Sequence, residues 1–305
     1  MDSRRARVVG AACVLVIAAG CSPTRFAAGR LGQSLASGGS VWTGDDDPQL
    51  VAEAMPFALK TLESLVAAAP DDAGLLLATC RGFVSYAAGF VEPEAEALPE
   101  SEFERAKAIR ARAYRLHWRA RGYCARAFAE RFPEGAVALE GDLDRTLARA
   151  TPADVDLLFW LGASWGSAVS LALDRPERVA ELPAVRSLFE RALALDPGYD
   201  HGSLQEAMIP FESLSPMLGG SEARARERYR RALELAGGRR ASPYVTWARL
   251  YCVARQERSG FREALESALA IDPDASPPDR LANLLAQQRA RTLLARIDDL
   301  FFEEE

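Results

Sequence analysis

Arg191-Ala-Leu-Ala-Leu-Asp-Pro197 decides how this chain reads, because the segment returns twice further on. Arg231-Ala-Leu-Glu-Leu-Ala-Gly237 begins 40 residues later, and Ser267-Ala-Leu-Ala-Ile-Asp-Pro273 another 36 after that. Each copy reads as the end of an amphipathic helix, stopped by Pro or Gly. A period near 34–40 residues with a common ending marks stacked helical hairpins. Such stacks bury their apolar faces between neighbours and build concave surfaces that bind something. They seldom carry catalysis.

The repeat is of tetratricopeptide type, and the rest of the chain supports an all-α fold of degenerate hairpins in a compact bundle. Ala, Leu, Arg and Glu dominate the 305 residues, and β-branched residues are sparse. Asp47 reads as an N-cap with Pro48 at the first helical position. A helix to Ala69 and a second over 73–91 make the first hairpin. Glu92 to Pro99 reads as an acidic loop, and Ser101-Glu-Phe-Glu104 as a capping box. It opens a long helix to about Phe132, bent near Gly122. Thr151-Pro152-Ala-Asp154 caps the next helix. There Leu157 to Leu173 run without a charge, just short of a membrane span, and read as a central helix. Its partner covers Pro183 to Leu195. Tyr199 to Leu214, kinked at Pro210, pairs with Ser221 to Leu235. A helix capped by Ser242-Pro243 pairs with Phe261 to Ile271. A final helix over 279–302 closes the exposed end as a C-terminal cap. The uneven spacing of the repeats favours a closed stack with an interior over an open groove.

Ahead of this body, Arg4, Arg5 and Arg7 precede an apolar run from Val8 to Ala19. That is the pattern of a cleaved targeting segment. Ile17-Ala-Ala-Gly-Cys21 resembles a bacterial lipobox, with Ala18 where Leu is usual, so Cys21 would carry the acyl chains. An ordinary signal ending near Gly20, or a signal anchor, is the alternative. The expected organisation is a lipoprotein signal peptide over 1–20, a flexible tether over 21–44 and a helical repeat domain over 45–305. Cys80, Cys124 and Cys252 remain, far apart and in apolar helical contexts. Buried free thiols are the default, and a single disulfide is the alternative that sequence cannot pair. The net charge is −6, and no basic block stands outside the first residues, which speaks against nucleic-acid binding.

Motifs for chemistry are few. Gly162-Ala-Ser164-Trp-Gly166 matches a hydrolase nucleophile pattern, with His201 as base and Asp196 or Asp200 as orienter. The required strand before the serine is missing, and small residues at this spacing also let helices approach closely. His117, in a long polar-rich helix, reads as a surface or partly buried residue. No His-Glu-x-x-His or Cys-x-x-Cys occurs. Asp45, Asp46 and Asp47 lack the glycine and distal Glu of a calcium loop. The sequence thus points to no enzyme, metal or cofactor. The aromatic residues are more suggestive. Trp160, Trp165, Tyr199, Phe211, Tyr244, Trp247 and Tyr251 fall on the first helices of successive hairpins. Core packing explains most of them. Some, together with His201, are candidates to line a pocket for an apolar ligand or a partner segment.

Several stretches together resemble the T component of tripartite ATP-independent periplasmic (TRAP) transporters, the TatT family. They are Gly44-Asp-Asp-Asp-Pro48, Phe57-Ala-Leu-Lys-Thr-Leu-Glu63, Trp160-Leu-Gly-Ala-Ser-Trp-Gly166 and Asp196-Pro-Gly-Tyr-Asp-His-Gly202. Gly219-Gly-Ser221, Arg280-Leu-Ala-Asn283 and Arg291-Thr-Leu-Leu-Ala-Arg-Ile-Asp298 continue the likeness, which covers roughly 44–302. The resemblance implies a non-enzymatic periplasmic lipoprotein, trimeric, that docks the solute-binding (P) subunit of the transporter. It also implies a channel for a hydrophobic solute. The alternative class is a general tetratricopeptide scaffold lipoprotein in envelope assembly, and the remotest is a serine hydrolase using Ser164.

Overall fold

The computed structural model describes residues 39–302 except 140 and 142. These residues are predominantly helical and contain no strand. Ten principal helices can be followed: α1 Pro48–Ala68, α2 Ala73–Tyr86, α3 Phe103–Arg131, α4 Val155–Ser170 and α5 Leu182–Leu195 in the first part. α6 Tyr199–Ser213, α7 Glu222–Ala236, α8 Ser242–Thr246, α9 Arg258–Leu269 and α10 Arg280–Ala295 follow. Successive helices pack on one another, and α4 also lies against α2 and α3. Two core clusters result. The larger joins α1 to α6 through Phe83, Phe128, Leu158, Leu161, Trp165 and Leu188. The smaller joins α6 to α10 through Ile209, Trp247, Tyr251, Phe261 and Ala290. Each fully buried large side chain contributes about 1.5–3 kcal/mol of transfer free energy.

The sequence expectations for the helix starts meet mixed outcomes. Asp47 caps α1, its carboxylate accepting from the Gln49 and Leu50 amides at 3.0 Å. Thr151 and Asp154 form the expected reciprocal capping box. Ser101 does not cap α3, because Glu100–Glu102 wind into a 3₁₀ turn and the α-helix starts at Phe103. The supposed acidic loop is helical over Glu92–Glu96, continuing α2 through a π-helical turn at Ala87–Val91. By length and composition Ala73–Glu96 could cross a membrane, but half of its most apolar window is buried inside this fold. α3 runs unbroken past Gly122. The kink expected at Pro210 lies instead at Asp200, His201 and Gly202, which all adopt left-handed dihedrals. Ser242 begins α8 rather than capping it. The final helix breaks at Arg296 and resumes over Ile297–Leu300.

Both ends of the described body meet. Gly39–Thr43, placed in the tether by sequence, forms a short helix against α10. Arg280 donates to the Gly44 carbonyl at 3.2 Å. Gly44 must be glycine, because a Cβ there would sit 2.7 Å from the Ser40 oxygen. α10 also touches α1. Glu96 takes Arg289 from α10 and Arg249 from the turn after α8, the latter at 2.7 Å. Arg296 donates to the Glu96 and Leu98 carbonyls. The described array is therefore fastened end to end.

Cys80 on α2 and Cys124 on α3 form a disulfide, with Cα atoms 5.5 Å apart. The default expectation of three free thiols thus fails for this pair, while Cys252 is free and buried.

Carboxylates buried between helices tie the stack to pH. Arg131, at the end of α3, holds Asp154 through two hydrogen bonds of 2.6 and 3.0 Å. Burial disfavours the Asp154 charge, but Arg131 and Thr151 outweigh it and hold the carboxyl below its ordinary range. Glu92 and Glu96 are lowered likewise, burial being overcome by His117, Arg289 and Arg249. A depressed folded-state pKa contributes stability above the unfolded value, near 4, that is lost as pH falls through the folded one. The share of the unfolding free energy that comes from these three carboxylates should therefore stay level from pH 7 to about 5 and fall below about 4. Asp154→Asn should lower stability at pH 7 and flatten that acid limb, read by thermal melts from pH 3 to 7. Melts of the variant running parallel to those of the wild type on acidification would contradict this assignment.

Candidate ligand and partner sites

The aromatic residues singled out by sequence fall into three separate places. Phe159 on α4 is the centre of the first. It contacts Trp160, Tyr199 and Phe189 at ring distances of 5.3, 5.2 and 6.1 Å. Phe189 then meets Phe211 at 6.0 Å. The Tyr199 hydroxyl donates to Asp156, which also binds Arg81, and the Arg81 guanidinium stacks 5.5 Å over Trp160. Burial and the Asp156 bond push the Tyr199 phenol far above its usual range. Phe211 is buried, whereas Trp160 and Tyr199 keep partial exposure. The Trp160 indole N–H has no hydrogen-bond partner.

The second place contains Tyr244 and Trp247. A π-helical turn over Trp247–Cys252 widens the helix by one residue per turn, a feature frequent at functional sites. It stacks Trp247 on Tyr251 at 3.8 Å, and Tyr229 of α7 covers the other face of Trp247 at 4.6 Å. Tyr244 meets Tyr229 edge-on at 6.2 Å. Beside this stack, α7, the π-helical turn and loop after α8, and α9 border a groove of about 750 Å³ lined by Arg226, Tyr229, Trp247, Gln256, Gly260 and Glu263.

Trp165 stands apart. It is 2% exposed, donates its indole N–H to Glu181 at 2.6 Å and carries Arg121 4.1 Å over its face. A second cavity of about 630 Å³ opens there between Trp118, Trp165, Arg178 and Pro183. His201 belongs to none of these groups. It is exposed on the left-handed turn, its Nδ1 3.2 Å from Arg239. The structure thus brings Trp160, Tyr199 and Phe211 into one cluster and Tyr244 and Trp247 into another, and it does not join the two with Trp165 or His201.

Ser164 is fully buried in α4, and its hydroxyl donates to the Leu161 carbonyl at 2.9 Å. With His201 on an exposed turn and no strand leading to the serine, this geometry does not make a nucleophile elbow. Among the described residues no group of three or more His, Cys, Asp or Glu could hold a metal ion.

Sequence reasoning missed the buried polar groups. His117 is fully buried, not at the surface, with Nε2 2.7 Å from Glu92. Its spacing to Ala113, Ala120 and Cys124 places it on the apolar stripe of α3, a signal that was available. Glu206 on α6 accepts from Ser242 at 2.8 Å and Thr246 at 2.6 Å. Burial pushes its carboxyl above the ordinary range against the pull of those hydroxyls and Arg240. Burial, helped by the like charge of Arg289, lowers the Arg249 guanidinium.

An all-α stack latched end to end over the described residues, with buried arginines, carboxylates, aromatic clusters and two surface cavities, defines an all-helical protein with room for ligands or partners. The sequence profile of the TRAP transporter T-component family, TAtT, matches residues 44–301, and the chain belongs to that family. It is also similar to a protein of Treponema pallidum (strain Nichols) described only as uncharacterized, with 32% identity over 312 residues and 96% of each chain covered. The family is that of an accessory component of TRAP transport systems.

Proposed function

We propose that this chain is the lipid-anchored accessory subunit of a TRAP-type solute uptake system. It is exported, acylated at Cys21 and held on the periplasmic side of a membrane. It assembles as a trimer of tetratricopeptide-like hairpin stacks, docks the solute-binding subunit and exchanges a hydrophobic ligand with it. The family match over residues 44–301 is the observation that carries this reading. The Cys80–Cys124 disulfide supports it, since such bonds persist in oxidising compartments. The half-buried Trp160, Tyr199 and Tyr244 are the side chains best placed to touch an apolar ligand, because they keep surface while packed against other rings.

Crosslinking in periplasmic extracts, followed by affinity purification of this chain, is expected to recover a TRAP solute-binding subunit as a stoichiometric partner. Repeated recovery of the chain without one would sink the proposal. The scaffold reading draws on one observation, that the aromatic clusters do not converge on a single cavity. Native mass spectrometry separates the two: a retained lipid or apolar solute supports the transport reading, and a clean apoprotein favours the scaffold.

A further inference from the structure

The net charge of −6 hides a strong local excess of the opposite sign. α3 contains nine Arg or Lys side chains, Arg105, Lys107, Arg110, Arg112, Arg115, Arg119, Arg121, Arg126 and Arg131, against only Glu104 and Glu130. Several are committed to the fold. Arg112 reaches the Tyr86 hydroxyl, Arg119 lies 3.6 Å from Glu63, and Arg126 donates to the Pro70 carbonyl. Lys107, Arg110 and Arg115 are exposed, and no described carboxylate pairs with them.

Aromatic rings run between these cations. At helical spacing Phe103, Lys107, Arg110, Tyr114, Trp118 and Arg121 follow one side of α3, and the exposed Arg115 lies about 100° round the helix at its border. Phe103 is 57% exposed. Tyr114 and Trp118 stack with centroids 6.1 Å apart, and the segment after α4 lays two further arginines on them. Arg175 sits 5.0 Å over Tyr114 and Arg178 sits 4.1 Å over Trp118. Leu173, two residues before Arg175, is 63% exposed. Acids on this side include Glu104, Asp174, Glu177, Glu181 and Asp144, which lines the cavity beside Trp118 and Arg178; Glu181 is occupied by Arg178 and the Trp165 indole.

We propose that this basic and aromatic side of α3, extended by Leu173 to Arg178, docks on an anionic lipid surface. Half-buried rings with cations stacked on them, beside protruding Phe103 and Leu173, are suited to the headgroup boundary. There the rings and apolar tips enter the interface and the guanidinium and ammonium groups meet phosphates. A soluble acidic partner would reward the charges but leave Phe103 and Leu173 without a role. The inference is independent of acylation at Cys21 and of the solute-binding subunit, since it concerns a surface of the described body alone.

Vesicle flotation tests it with the non-acylated polypeptide Ser22–Glu305, which keeps every described residue and both core clusters. The vesicles are pure phosphatidylcholine, or phosphatidylcholine with one-third phosphatidylglycerol. Binding to the anionic vesicles alone is expected, reversed by half-molar salt. Each basic side chain at such a surface contributes about fivefold, so the triple variant Lys107→Glu, Arg110→Glu, Arg115→Glu should lose at least 100-fold in partition. Its thermal unfolding should match the wild type, because the three side chains have no partners among the described residues. Phe103→Ser with Leu173→Ser should weaken binding while leaving its salt dependence in place. Equal binding to neutral and anionic vesicles, no vesicle binding, or undiminished binding by the triple variant overturns the proposal. Capture by soluble polyglutamate or heparin without vesicle binding also overturns it and assigns the surface to an acidic macromolecule.

Discussion

Replacing Cys80 and Cys124 together by Ala is expected to destabilise the protein by about 4 kcal/mol, the loop-entropy value for a link across 44 residues. For a body of this size that is a drop of roughly 8–16 °C in the unfolding midpoint. The bond ties α2 to α3 inside the larger core cluster, and Cys80 lies 3.8 Å from the Trp160 carbonyl of α4. It therefore fixes the helix pair on which α4 and its aromatic cluster rest. Reduction of the wild type should reproduce the double variant and leave Cys252, already a buried thiol, unchanged. Burial pushes the Cys252 thiol up to about 12, so exchange with the disulfide at neutral pH is not expected. Calorimetry with and without reductant reads the effect. A reduced wild type unfolding at the same temperature as the oxidised form would show that the link carries no stability.

Local chemistry was the legible part of this chain. Asp47 with Pro48, and Thr151 with Asp154, complete their hydrogen bonds within a few residues, so a short window of sequence contains the whole interaction. The all-α class and the repeat endings are legible for the same reason. The two π-helical turns were not, because one extra residue in a turn leaves the apolar pattern almost unchanged while rotating everything beyond it. Trp160 and Trp165 show how the candidate site was misjudged. Five residues on a helix rotate a side chain by about 140° net, so the two indoles face different neighbours although both sit on α4. Spacing tells which side of a helix a residue occupies. It does not tell which helix arrives there. The latch of Glu96 with Arg249 and Arg289 spans 153 and 193 residues, and no local pattern encodes it. The basic character of α3 escaped for a different reason: its cations are spaced by Ala and aromatic residues, so no run of like charge forms until the helix brings them to one surface.

Arg240→Ala is expected to cost about 3–5 kcal/mol, the range for removing one partner of a buried ionic network. Arg240 joins two groups that cannot satisfy themselves. Its Nε donates to Asp279 at 2.9 Å, a carboxylate 6% exposed whose other side-chain partner is Ser276 at 2.6 Å. Its terminal nitrogens donate to the Asp200 carbonyl at 2.6 Å and to the Asp200 carboxylate at 2.8 Å. Asp200 and His201 have φ of 43° and 55°, left-handed values that cost non-glycine residues about 1–3 kcal/mol each. Gly202 completes the turn, and a Cβ there would lie 3.1 Å from the Ala232 oxygen. Asp200 is half-exposed, so most of the loss should come from stranding Asp279 and releasing the strained turn. Asp279 is the N-cap of α10 and α6 effectively starts after Gly202, so the variant loosens the latched end of the stack. Arg240→Lys should recover less than half of the loss, because one ammonium cannot span both carboxylates and the carbonyl. The pH dependence has a definite sign. Burial opposes the Asp200 charge, but Arg240 and Ser203 overcome it and hold the carboxyl below its ordinary range. That share of the stability is present above about pH 4 and disappears on acidification, so wild-type and variant melts should converge as pH falls toward 3. A variant within about 1 kcal/mol of the wild type at pH 7 would show instead that the turn is held by packing of α6 on α7 and not by this guanidinium.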